Sequence, residues 1–160
     1  MPPLIRHFTS TGYVAHADRV LLHWHRKLRM WMPPGGHIEA NEDPSEAIVR
    51  EALEETGIKV EVWPTGRTFK FSYPSQIAPP LAILEEDIDD PVTGPHRHID
   101  FIYLLRPVET PPEVVDGWRW VTRRHLASRE PLESPEGAAT PPEDVAELGL
   151  VALDEARAWR

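Results

Sequence analysis

GHIEANEDPSEAIVREALEETGI, residues 36 to 58, is the stretch on which fold and chemistry turn. It closes with Arg50, Glu51, Glu54, Glu55 and Gly57. At about 3.6 residues per helical turn, Glu51, Glu54 and Glu55 stand at i, i+3 and i+4 and share one face over an arc of roughly 100°. Like charges at this spacing repel each other, so a cationic partner is expected against them. Hard divalent cations take oxygen ligands, and Mg²⁺ uses one or two carboxylates together with substrate phosphates. The bounds of the helix are legible. Asp43 is a good N-cap, Pro44 suits the first helical position, and Glu46 completes a capping box. Gly57 provides a left-handed C-terminal stop. Upstream, Pro33-Pro34-Gly35-Gly36 reads as a loop, excluded from helix and central strand, with glycines that admit close backbone approach to a ligand. The expectation is loop, helix, loop, with the acidic face turned toward the glycines.

The segment resembles the Nudix box, Gly-x5-Glu-x7-Arg-Glu-U-x-Glu-Glu-x-Gly-U with U aliphatic. Gly36, Glu42, Arg50, Glu51, Glu54, Glu55 and Gly57 occupy its fixed positions, and Ala52 and Ile58 its aliphatic ones. With each residue type at about 7% frequency, a chance match of seven is on the order of 10⁻⁸ per starting position. The resemblance implies an α/β fold, a Nudix-type α/β/α sandwich with a mixed β-sheet. It implies a hydrolase acting on acid anhydrides in phosphorus-containing compounds: a pyrophosphohydrolase that uses Mg²⁺ or Mn²⁺ and an attacking water. It implies Gly35 (through its carbonyl), Glu51, Glu54 and Glu55 as metal ligands, with Glu51 either a ligand or the general base. Arg50 is expected to orient Glu51, and Glu42 to hold the loop or accept metal. Glu46 and Glu39 read as capping and surface residues, and an alternative for Arg50 is an i,i+4 partner of Glu46. An isolated acidic stripe would read as a solvated face; the glycine loop, Arg50 and Gly57 in register turn that reading around.

Composition narrows the rest. A chain of 160 residues is expected to form one domain, residues 1–160, with room for a proper core. A net charge of −9 argues against a general grip on nucleic acid, which needs clustered Lys and Arg, but not against a nucleotide, because metals bring their own positive charge. The absence of cysteine excludes disulfides, thiolate metal sites and a cysteine nucleophile. The opening MPPLIRHF has no signal-peptide core, and no apolar run approaches a membrane span. A cytoplasmic location and a small-molecule substrate are the expectation, without bulk nucleic acid or membrane as partners. Nudix relatives are often homodimers, and nothing in the sequence decides that point.

Along the chain, Gly12 to Ala17 and Val20 to Trp24 read as a hairpin across Asp18-Arg19. Lys59 to Trp63 and Arg67 to Tyr73 alternate as half-buried strands do, with Phe69, Phe71 and Tyr73 on one face as core. Leu81 to Leu84 reads as a short strand, Asp87 to Gly94 as an acidic turn region, and Ile99 to Leu105 as a central strand. Trp118 to Val121 reads as a short strand leading to a helical turn near His125. Residues 129 to 140 read as a polar loop. Thr140-Pro141-Pro142-Glu143 reads as a capping signature for a C-terminal helix toward Ala158, which Gly149 is expected to weaken or kink.

Outside the box, Glu85, Glu86, Asp87, Asp100, Glu133 and Glu136 are candidates for a further carboxylate, with Glu86 slightly favoured. His23, His25, Arg26, Lys27 and Arg29 form a basic patch able to steer an anion. Arg26, Arg29, Trp31 and His98 are the candidate substrate contacts, Trp31 by stacking. No thiolate or regular helical histidine spacing supports a separate zinc site. The substrate expected is a nucleoside di- or triphosphate. The alternatives are ADP-ribose or a dinucleoside polyphosphate, whose family cues both touch Tyr73-Pro74. A module that binds a nucleotide without cleaving it is the alternative from another class, and its relatives usually lose box carboxylates that this chain keeps.

Overall fold

The computed structural model describes residues 4–110, 112–113 and 115–159. Its centre is a parallel pair. Strand β1 (Arg6–His16) runs beside β7 (Gly94–Pro107) in a register that matches Arg6 to Arg97, His7 to His98 and Val14 to Leu105. The other pairings in this sheet are antiparallel. β2 (Arg19–His25) joins β1, while β3 (Met30–Met32) and β8 (Trp118–Thr122) join β2. β4 (Gly35–His37) lies on the N-terminal half of β1. β5 (Val60–Trp63) and β6 (Ala82–Asp90) pair with the two ends of β7. The sheet is therefore mixed, as expected.

Two cores sit on opposite faces of it because side chains alternate along a strand. Val14, Leu21, Tyr103 and Leu105 pack against Ile48 and Ala52 of α1 (Pro44–Thr56). Tyr13, Leu22, Ile102 and Leu104 pack against Leu126 of α2 (Arg123–Ser128) and Val145, Ala146, Ala152 and Leu153 of α3 (Glu143–Ala156). The β7 run Ile102 to Leu105 is buried on both sides, which is why it reads as continuously apolar. The result is an α/β/α sandwich. No helix among the described residues is long and apolar enough to cross a membrane.

Helix α1 begins and ends as its sequence anticipates. The Asp43 carboxylate accepts from the Ser45 and Glu46 amides, the Glu46 carboxylate accepts from the Asp43 amide, and Gly57 takes φ 75°.

Several expectations are corrected. The first hairpin turns across Ala17-Asp18, both at positive φ, one residue earlier than expected. Gly35 and Gly36 are not loop but strand β4, because β1 offers an open edge there and glycine fits beside the Ser10 and Thr11 backbone. Arg67 to Tyr73 forms no strand, and Phe69, Phe71 and Tyr73 are exposed, Tyr73 at 88%. The alternation there has no partner strand to pair with. The acidic Asp87 to Asp90 continues β6, whose turn is confined to residues 91–93. The 129–140 loop contains a hairpin of β9 (Leu132–Ser134) and β10 (Gly137–Ala139). Helix α3 starts without a side-chain cap, with Thr140 donating instead to the Arg129 carbonyl, and it ends at Ala156. Gly149 does not interrupt its continuous span; a side chain there would press on Leu126 at 3.0 Å, so the glycine lets α2 and α3 approach.

Gly12 tests this packing. A Cβ at Gly12 would stand 2.7 Å from Ile48 Cγ1 and closer still to Leu105, both fully buried. Gly12→Ala is expected to destabilise the fold by about 1–3 kcal/mol, the usual penalty of overpacking, read as a lowered urea midpoint. An unchanged midpoint would show that α1 does not press on β1 as described.

Candidate functional site

The helix cap at Asp43 and the stop at Gly57 set the rotation of α1, and that rotation turns Glu51 and Glu55 onto β4. Glu51 lies so close to Gly36 that a methyl group there would meet its carboxyl at 2.5 Å. The Gly35 amide donates to Glu55 Oε2 at 3.3 Å. A side chain on Gly35 would strike the Ser10 carbonyl oxygen at 2.7 Å. Neither glycine has room for a Cβ, which is the physical reason for glycine at both positions. Glu54 stands outward, with its side chain 60% exposed.

Arg50 ties the group together. Its guanidinium donates to Glu51 at 2.8 Å, to Glu54 at 3.2 Å and to Glu42 at 2.9 Å, and also to the His37 carbonyl. These bonds hold the Glu42 carboxyl below the usual carboxylate range and push Arg50 up. Glu42 also accepts from the Glu39 amide, which fastens the connecting loop. Glu46 is occupied with the cap and is not the partner of Arg50. Glu55 receives no bond from Arg50. Burial pushes it up to about 7, with the Gly35 amide opposing and the Glu51 and Glu54 charges adding to the rise.

A cavity of about 410 Å³ opens beside this cluster. Glu55, Gly35 and Gly36 form one side, and the polar ends of β1, β6 and β7 form another. Its floor is one face of the parallel pair, where His7, Thr9 and Thr11 of β1 stand beside His98 and Asp100 of β7. Asp100 is 5% exposed and accepts from Thr9 at 2.9 Å. Burial raises it, and burial with the nearby Asp100 charge pushes Glu86 up to about 7. His98 is pushed down to about 4 by burial and by the neighbouring imidazoles.

The other candidates divide by position. Among the further carboxylates, Glu86 and Asp100 line the cavity. Glu85 and Asp87 point to the other face of β6, where they meet Arg6 and Arg97. Glu136 pairs with Arg29 on the β9–β10 hairpin, which also carries Glu133, and neither lines the cavity. Of the basic patch, His23, His25 and Lys27 line the cavity; Arg26 and Arg29 do not. Trp31 is only 4% exposed and its indole donates to the Ala139 carbonyl, so it packs in the core and offers no face for stacking. Tyr73 and Pro74 also lie outside the cavity lining. His98 is the one proposed substrate contact that reaches the cavity. The sequence reading placed His96, Arg97 and His98 as groups able to hold a phosphate or leaving group; His7 and His37, which line the cavity with His96 and His98, escaped it. The i,i+2 spacing of His96 and His98 on one strand was the available signal.

The family model for the NUDIX domain matches residues 6–143. The chain belongs to the NUDIX domain family. A NUDIX-family hydrolase structure from Clostridium perfringens is 28% identical, with a TM-score of 0.73 over 96% of this chain and 99% of that one. The Caenorhabditis elegans Ap4A hydrolase shares the fold at 17% identity and a TM-score of 0.51, over 98% and 99% of the two chains. The Danio rerio m7GpppN-mRNA hydrolase NUDT17 is 34% identical over 79 residues, which is 48% of this chain and 22% of that protein. This NUDIX chain therefore matches about a fifth of the length of that curated relative.

The desolvated Glu86 carboxyl has a consequence for stability. Its folded value of about 7 lies above the usual carboxylate value of 4.5, so the folded state binds its proton more tightly. Stability from this group is fully present below pH 4.5 and is lost as pH rises through about 7. Glu86→Gln is therefore expected to stabilise the metal-free protein by about 1–3 kcal/mol at pH 8, and by clearly less at pH 5. Urea unfolding at the two pH values measures this, and an equal gain at both would refute it.

Proposed function

We propose that the protein is a metal-dependent pyrophosphohydrolase that cleaves a diphosphate linkage in a small nucleotide, most simply a nucleoside di- or triphosphate. The observation that supports this most is the convergence of Glu51 and Glu55 on the Gly35–Gly36 strand, with Arg50 committed to Glu42, Glu51 and Glu54. Glu55 is half-buried among like charges with no cationic partner among the described residues, and the donor set is all oxygen. That chemistry fits Mg²⁺ or Mn²⁺. Glu51, Glu54, Glu55 and the Gly35 carbonyl are the groups that would hold the ion. Such an ion neutralises charge on phosphate oxygens and lowers the pKa of a water.

The chain's own residues supply the rest. Arg50 keeps Glu51 in one orientation and limits repulsion along the helical stripe. Glu51 is the group that would take the proton of an attacking water, or serve as a ligand. Glycines at 35 and 36 leave the backbone bare where a diphosphate would approach. Lys27, His23 and His25 add positive or hydrogen-bonding groups across the cavity for the substrate's outer phosphate or leaving group. Phosphoryl transfer needs positioning and charge stabilisation more than covalent help, and this set provides both. A single domain over residues 1–160, a cytoplasmic location and a small-molecule partner belong to the same reading.

A panel of nucleoside di- and triphosphates, ADP-ribose and dinucleoside polyphosphates, assayed for phosphate or pyrophosphate release with Mg²⁺ or Mn²⁺, tests it. Turnover of the nucleoside phosphates is expected, abolished by chelator and in the Glu54→Gln, Glu55→Gln double variant. Turnover confined to ADP-ribose or a dinucleoside polyphosphate would replace the substrate class. Binding without turnover would make the protein a sensor, and activity unchanged in the double variant would reject the ligand set. As a general base, Glu51 contributes about 10²–10⁴-fold, so Glu51→Gln is expected to lower kcat by at least that factor while unfolding stays cooperative.

A further inference from the structure

Four histidines from three strands line the same cavity as Glu55 of α1. His96 and His98 lie two apart on β7 and so point to one face. His7 of β1 is registered opposite His98, and His37 of β4 stands opposite Thr9, one pleat further along. One nitrogen from each of His7, His96 and His98 lies within 4.8 Å of the others. The Nε2 atoms of His96 and His98 are 3.1 Å apart, and His37 Nε2 is 3.3 Å from His7 Nδ1. Four imidazole nitrogens around a tetrahedral ion at about 2.0–2.1 Å stand about 3.3–3.4 Å from one another.

The surroundings favour a cation over an anion. His96 Nδ1 lies 2.9 Å from the Gly94 carbonyl. A carbonyl can only accept, so Nδ1 carries the proton and Nε2 keeps its lone pair toward His98. This carbonyl-held tautomer is the usual outer support of a metal-bound histidine. Glu86 pairs with His98 across β6 and β7, and Asp100 follows two residues on, so two carboxylates stand on this face beside the imidazoles. Binding a phosphate here would require protonated imidazoles packed nitrogen to nitrogen, which repel.

We propose that His7, His96 and His98 form a binding site for a divalent transition metal of the zinc type, with His37 beside His7 at its edge and with a ligand set distinct from the carboxylates of α1. Imidazole donors suit zinc, copper or nickel, whereas magnesium and manganese prefer oxygen. The site is independent of the hydrolase reading: it holds whether or not the protein turns over a nucleotide. The sequence reading found no support for a separate zinc site. It looked for thiolates and helical spacing, whereas the ligands come from neighbouring strands in register.

Zinc binding to the full metal-free chain, measured by competition with a chromophoric chelator in excess Mg²⁺, tests the proposal. A single zinc per chain is expected, with a zinc-edge absorption spectrum dominated by imidazole scattering. Losing even an outer partner of a metal ligand costs about 10–100-fold in affinity, so His98→Ala and His7→Ala should each cost at least that much. The Glu54→Gln, Glu55→Gln variant should bind zinc as the parent does. His98→Gln, with circular dichroism on every variant, separates ligand loss from misfolding. Zinc lost in the carboxylate variant but kept in the histidine variants would overturn the proposal. So would an oxygen-dominated spectrum of the unaltered protein, or no zinc bound by the folded chain.

Discussion

The Arg50 guanidinium holds Glu42, Glu51 and Glu54 at once, and the arrangement of the acidic segment depends on it. Carboxylates spaced along one helical stripe repel, and a single planar donor with several N–H groups can satisfy more than one of them. The same side chain reaches the His37 carbonyl, so it also fastens the connection after β4 to the helix. What it leaves out is Glu55, half-buried and facing the Gly35 amide. The local structure thus satisfies its own polar groups while keeping one carboxylate in want of a cation. A protein selected for stability alone would not retain that residue.

The parallel pairing of β1 with β7 decides where everything else can act. Along each strand, alternate residues go to α1 or to the opposite face. Val14, Tyr103 and Leu105 serve the α1 core, whereas His7, Thr9, His98 and Asp100 are delivered to the cavity. The apolar halves of the two strands anchor the sheet between helices. The polar halves continue past the residues that pack against α3 and form the floor of the cavity. The cavity therefore follows from strand length: β7 runs 14 residues, and its polar stretch His96 to Asp100 lies beyond Ile102 and Leu104, which pack in the core with α3.

Local signals were legible wherever the determining contacts lie within a few residues. Asp43, Pro44, Glu46 and Gly57 announce the bounds of α1 because caps are made by neighbouring backbone groups. Ile99 to Leu105 announces a central strand because burial on both faces demands an apolar run. Arg67 to Tyr73 misled because alternation shows only that a segment suits a strand, not that a partner edge is free. Trp31 misled for a similar reason. Its position beside the glycines in sequence placed it near the site, while its side chain turned away to the Ala139 carbonyl.

The box residues by themselves determined the NUDIX relationship, the helix and its single acidic face, since spacing of 3.6 residues per turn converts sequence positions directly into directions. Tertiary structure alone decided which distant groups share the cavity. His7, His37 and His98 are separated by tens of residues, and they meet because hydrogen-bonded strand register places them side by side. Register is set by the packing of both sheet faces over the whole domain, and no short stretch of sequence contains that information.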